Sequence, residues 1–254
     1  MSLQKCQRGV SKMSDSSTAA VTQLYGTDVS ETRQREAFTS GSVPVAVYGL
    51  GKMGLPLASV YAETSGNVVG ADVDPDVVAT INDGGCHVKR EPGLPELVDE
   101  LVTDGALQAT TDPEQAAKDA SIHVVIVPTP ITDDNEPDLS IVESVLSDIG
   151  SGLAVGDFVV IECTVPPRTT VETAKPILEG ESGLAVGEFG LTFCPERTSS
   201  GRALEDIRGA YPKVVGGVDE ESTRVAELVY TEINEKGAIA VSDATTAEAV
   251  TKRH

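Results

Sequence analysis

Tryptophan is absent from the 254-residue chain, and aromatic residues make up only 4% of it. A core must therefore be assembled from Val, Ala, Leu and Ile. Basic residues are also scarce: 19 Lys and Arg stand against 40 Asp and Glu, a formal net charge of −21. Such a surface repels nucleic acid and anionic lipid, which excludes both as main partners. The acids are scattered rather than gathered in a tail, as on a solvated globular surface. A host with a salty cytoplasm, where self-repulsion is screened, would account for them. Cysteine and histidine are few. Cys6, Cys86, Cys163 and Cys194 form no C-x-x-C pair, and His87, His123 and His254 lack H-E-x-x-H spacing. No metal site and no disulfide framework is expected, only free thiols, buried or half-buried, in a reducing compartment. No run approaches the roughly 18 apolar residues of a membrane span, and the N-terminus lacks an apolar signal region. No membrane partner and a cytoplasmic location are expected.

Glycine is plentiful, with 24 residues, and 40% of the chain is hydrophobic. Residues 1–42 are polar and without sustained periodicity, which reads as an extension, partly disordered and partly docked. Met13, opening "MSDSST", is an alternative start. From Val43 the pattern changes: short apolar runs such as "VPVAVYG", "NVVGADVD", "SIHVVIVPTP", "DFVVIECTVPP", "EFGLTFCPE", "PKVVGG" and "GAIAVS" alternate with stretches of helical spacing. That alternation predicts an α/β fold over 43–243, a Rossmann-like, doubly wound, mostly parallel sheet with helices on both faces. Residues 244–254 read as the opening turns of a further helix, capped by Thr245 or Thr246.

Between the first apolar run and its helix lies Gly49-Leu50-Gly51-Lys52-Met53-Gly54, a G-x-G-x-x-G match, and Asp72 ends the next strand 18 residues after Gly54. Gly49 permits the tight turn, Gly51 lets a pyrophosphate approach the backbone, and Gly54 lets the helix pack closely on the strand. Lys52 and Met53 would touch the cofactor through the backbone of this turn. Asp72 should accept hydrogen bonds from the adenosine ribose, and its charge would repel a 2′-phosphate. The cofactor expected is NAD rather than NADP.

Six further motifs follow in order: "EPGL" (91–94), "VPTP" (127–130), "NEPDLS" (135–140), "ECTVPPRTT" (162–170), "CPERTSSGRALEDI" (194–207) and "KVVGG" (213–217). Together they resemble the UDP-glucose/GDP-mannose dehydrogenase family over about Val43 to Val250. The resemblance implies oxidation of the C6 alcohol of a UDP-sugar to a carboxylate, with two NAD+ reduced and a cysteine thioester linking the two steps. UDP-N-acetylmannosamine is the first substrate to consider, ahead of the N-acetylglucosamine and glucose derivatives. It also implies that Thr129 and Thr170 line the NAD site, with Thr164 nearby or capping a turn. Glu196 would be the catalytic residue that helps activate water to hydrolyse the thioester, and Arg197 and Thr198 would face the nucleotide sugar.

Three departures qualify the resemblance. Cys163 replaces the family's serine, a near-isosteric change. Arg168 stands where glycine is usual, at a position where φ > 0 would strain it. The lysine of the family's "TAEAxK" helix falls on Thr251, followed by Lys252, and the sequence ends at His254. The reading is thus a truncated or frame-shifted dehydrogenase that keeps NAD binding but lacks the catalytic lysine and cysteine, and lacks the helix on which the family homodimer is built. A standalone, non-catalytic NAD-binding module is the alternative. A hydroxyisobutyrate-type dehydrogenase, also suggested by "GLGKMG", ranks last because "CPER" is foreign to it.

Overall fold

A computed structural model of the chain describes residues 20–250. Met13 and Cys6 at one end, and Thr251, Lys252 and His254 at the other, lie outside the described residues. In chain order the elements are α1 (Glu31–Thr39), β1 (Val45–Tyr48), α2 (Gly54–Ser65), β2 (Val68–Ala71), α3 (Pro75–Asn82), α4 (Leu94–Thr103), β3 (Leu107–Thr110), α5 (Pro113–Asp119), β4 (Ile122–Val125), α6 (Ser140–Gly152), β5 (Phe158–Ile161), α7 (Lys175–Ser182), β6 (Gly190–Phe193), α8 (Ala203–Glu205), β7 (Lys213–Gly217), α9 (Glu220–Ile233), β8 (Ala238–Ala240) and α10 (Ala244–Val250). A π-helical turn, Thr170–Ala174, leads into α7, and another, Asp206–Ala210, continues α8.

The eight strands form one sheet in the order β3-β2-β1-β4-β5-β6-β7-β8. All neighbours are parallel except β6 and β7, which run antiparallel through Thr192↔Gly217 and Phe193↔Gly216. This is the doubly wound, mostly parallel sheet expected. Strand alternation divides the core between its faces. Val45 and Val47 of β1 join one apolar cluster, with Leu57, Tyr61 and Tyr230; Ala46 and Tyr48 join the other, with Leu146, Ile149 and Phe193. The strand order reverses between β1 and β4, so a crevice opens beyond their C-terminal ends.

Four elements escape the periodicity reading, among them the three-residue α8, too short to show a period. α1 lies in the stretch read as an extension; it is polar overall and buries only Gln34, Ala37 and Phe38. Leu24 and Tyr25, just before it, are also buried, and Tyr25 donates to Asp219 across 2.9 Å. β3 is an edge strand with one fully buried residue, and α5 turns only Ala116 and Ala117 inward. α5 does carry its own start signal, an Asp112 cap followed by Pro113. The cap of α10 needs correction: neither Thr245 nor Thr246 serves. Asp243 does, accepting the Thr246 N–H at 2.7 Å, because a carboxylate just ahead of the helix reaches the free amides of the first turn.

Candidate dinucleotide site

The Gly turn is built as its residues require. Gly49 adopts φ 93°, and a Cβ there would lie 2.5 Å from the Ile126 carbonyl oxygen. A Cβ on Gly54 would lie 1.8 Å from the Gly49 carbonyl oxygen, so no larger residue lets α2 start this close to β1. At Gly51 the missing Cβ would meet nothing within 4 Å. That vacancy faces a crevice at the amino end of α2, where free amides and the helix dipole favour a phosphate.

The crevice encloses about 650 Å³. Gly49, Gly51, Lys52, Met53, Gly54, Asp72, Thr129 and Glu196 all line it. Asp72 is half-buried at the end of β2; its carboxylate accepts the Leu50 N–H at 2.7 Å and the Asp74 N–H at 3.0 Å. The strand end and the Gly turn are therefore tied together through this side chain. Thr129 donates to the Thr164 carbonyl oxygen at 2.6 Å, clasping the loops after β4 and β5, and Thr164 itself lines the crevice.

Glu196 sits half-buried where the chain leaves β6. One carboxylate oxygen accepts both the backbone N–H and the hydroxyl of Thr198. That hydroxyl lies 3.1 Å from the Met53 sulfur, so the "CPERT" loop rests on the Gly turn. Arg197 points elsewhere: its guanidinium donates to the Pro212 carbonyl and lies 5.8 Å from the Tyr211 ring centre. Neither Arg197 nor Thr198 is a wall of the crevice. Nor is Thr170, which is buried, its N–H and hydroxyl donating to Glu248 at 2.7 and 2.6 Å.

Several walls are not among the expected site residues. Tyr48, Val73, Pro113, Ile141, Val145 and Asp148 surround the end beside Asp72, and Glu162 and Cys163 the end beside Glu196. Glu162 and Cys163 open the "ECTVPPRTT" motif; for the others the only signal is the i, i+4, i+7 spacing of positions 141, 145 and 148 on α6. Glu162 is buried, paired with Lys213 at 3.1 Å and accepting the Tyr230 hydroxyl. Cys163 donates to the Val125 carbonyl at 3.3 Å, and burial pushes its thiol up to about 12. Burial also raises the Cys194 thiol, so both are protonated and unreactive at neutral pH. Cys86, Cys163 and Cys194 are free thiols.

Fold and crevice together define a Rossmann-type dinucleotide-binding domain. A family model described as the NAD binding domain of the UDP-glucose/GDP-mannose dehydrogenase family matches residues 43–234, and the chain belongs to that family. It is 36% identical to the UDP-N-acetyl-D-mannosamine dehydrogenase of Pyrococcus horikoshii over 208 residues, 81% of this chain and 48% of that protein. It is 35% identical to the NDP-N-acetyl-D-galactosaminuronic acid dehydrogenase of Ralstonia nicotianae over 215 residues, 80% of this chain and 48% of that one. A solved structure of the Pyrococcus horikoshii UDP-D-ManNAc dehydrogenase superposes with a TM-score of 0.77 at 33% identity, covering 82% of this chain and 49% of the other. The chain thus spans about half the length of the curated relatives it matches.

Proposed function

We propose that the chain supplies the NAD-binding half of a nucleotide-sugar 6-dehydrogenase, with UDP-N-acetyl-D-mannosamine as the preferred substrate class. The observation that carries the reading is the single crevice joining the Gly turn and Asp72 to Thr129, Cys163 and Glu196. The wording of "CPER" and of "INDGGCHVKREP" favours the mannosamine substrate. Relatives named for different sugars match at 36% and 35% identity, so the sugar rests on those words alone.

The vacancy at Gly51 and the free amides of α2 fit a pyrophosphate, and Asp72 fits a ribose diol. NAD bound there would accept hydride from the sugar carbon. Thr129 holds the two loops that border the reacting end. Glu196, steadied by Thr198, presents its other carboxylate oxygen, without a partner among the described residues, for taking a proton from water. Tight bonding to Thr170 makes Glu248 a positioning residue for the loop at 164–170. The thioester-forming cysteine belongs to the sugar-binding half, since Cys163 and Cys194 are both buried and protonated.

Two measurements test this. By calorimetry, residues 1–254 should bind NAD more tightly than NADP, and should release no NADH when UDP-N-acetylmannosamine is added. A chimera carrying residues 43–250 in place of the matching half of the Pyrococcus horikoshii relative should oxidise that sugar with NAD. A folded chimera that binds NAD but makes no NADH would refute the catalytic part of the reading.

A further inference from the structure

The crevice end beside Asp72 is walled almost entirely by carbon. Tyr48, Val73, Pro113, Ile141 and Val145 offer area for a flat ring and no means of telling one base from another. Asp148 is the exception. It follows Ile141 and Val145 on the same face of α6, lines the crevice and is half-buried. No donor among the described residues reaches its carboxylate. Burial, and after it the neighbouring charge of Glu114, push its carboxyl above the usual range, so the group is short of compensation where it stands. Asp72, the other carboxylate at this end, already holds the Leu50 and Asp74 amides.

We propose that Asp148 reads the base of the dinucleotide, accepting a hydrogen bond from the exocyclic amine of adenine and so selecting a 6-aminopurine over a 6-oxopurine. The inference rests on the NAD reading above. Ionised carboxylates accept and cannot donate. An amine at the purine 6-position therefore satisfies Asp148, whereas a carbonyl oxygen there sets acceptor against acceptor. The apolar walls make that difference count, because they keep water from repairing the mismatch.

The test is calorimetric titration of the full chain with NAD, with nicotinamide hypoxanthine dinucleotide and with ADP-ribose. The wild-type chain should bind NAD about tenfold or more tighter than the hypoxanthine form, the range of a hydrogen bond to a charged group. Asp148→Asn and Asp148→Ala should each close that gap to within about twofold, with melting curves confirming that both variants fold. Equal wild-type affinity for the two dinucleotides overturns the proposal without any variant. So does a gap that persists in both variants. Failure of NAD and ADP-ribose alike to bind overturns the cofactor reading and this inference with it, whereas ADP-ribose binding without base discrimination overturns the inference alone.

Discussion

Asp72 does two jobs whose separation is measurable. It ties the Gly turn to β2 by accepting the Leu50 N–H, and it places negative charge where a 2′-phosphate would lie. Asp72→Asn keeps an acceptor for the amide but removes the charge. The preference for NAD over NADP should fall by about tenfold or more, since bringing like charges together costs at least about 1.4 kcal/mol; unchanged selectivity in competitive titrations would remove the ribose role. Lys213 is the other side chain where charge and burial meet. Burial works to lower its pKa, and the carboxylate of Glu162 outweighs it, so the net shift is upward. A raised folded value means the pair's stability is fully present below the ordinary lysine pKa and is lost only as pH rises through the folded one. The pair's contribution to melting temperature should therefore stay constant between about pH 6 and 9. Lys213→Met strands the Glu162 carboxylate in the core and should cost about 3–5 kcal/mol in urea denaturation.

Among the elements, α10 shows how a short helix can matter. Glu248 is fully buried and accepts the N–H groups of Arg168 and Thr170 and the Thr170 hydroxyl, so α10 caps the π-helical turn that enters α7. Glu248→Ala leaves these donors buried and unpaired and should destabilise the chain by about 2–4 kcal/mol, with Glu248→Gln losing less. A loss under about 0.5 kcal/mol for the alanine variant would show that water replaces the cap. The same loop carries Arg168 at φ 81°, the left-handed region anticipated for a position where glycine is usual. Its salt bridge to Glu172 is well exposed and contributes little. Arg168→Gly should accordingly raise stability by about 0.5–1 kcal/mol, the relief of left-handed strain exceeding the lost pair and the added freedom of the unfolded chain.

For the whole molecule, a net charge of −21 is the dominant long-range term. Self-repulsion acts over roughly 10 Å at about 0.1 M salt and over about 3 Å at 1 M. Melting temperature should rise by about 5 °C or more between roughly 0.1 M and 2 M KCl; equal values at both would sink the idea that this surface is adapted to salt.

What the residues alone determined follows from local rules. Alternating apolar runs and helical spacings require a parallel sheet covered on both faces, and a Gly turn between strand and helix, with an acid at the next strand end, requires a phosphate cradle and a ribose acceptor. The elements missed were those whose burial is partial, and the three-residue α8, too short to show a period. α1, α5 and β3 bury too few side chains to print a period, although Asp112-Pro113 did mark the start of α5. Tertiary structure alone decided the rest. It brought α6 over the crevice, so that Asp148 joins a site laid out by residues some hundred positions earlier. It turned Arg197 toward Tyr211 and Pro212 rather than toward Glu196, and it enclosed Thr170 behind Glu248. It also buried Glu162 against Lys213, 51 positions away. Local periodicity reports which face of an element is apolar, but not which distant element will cover it, and a polar side chain's partner is settled only when that cover is in place.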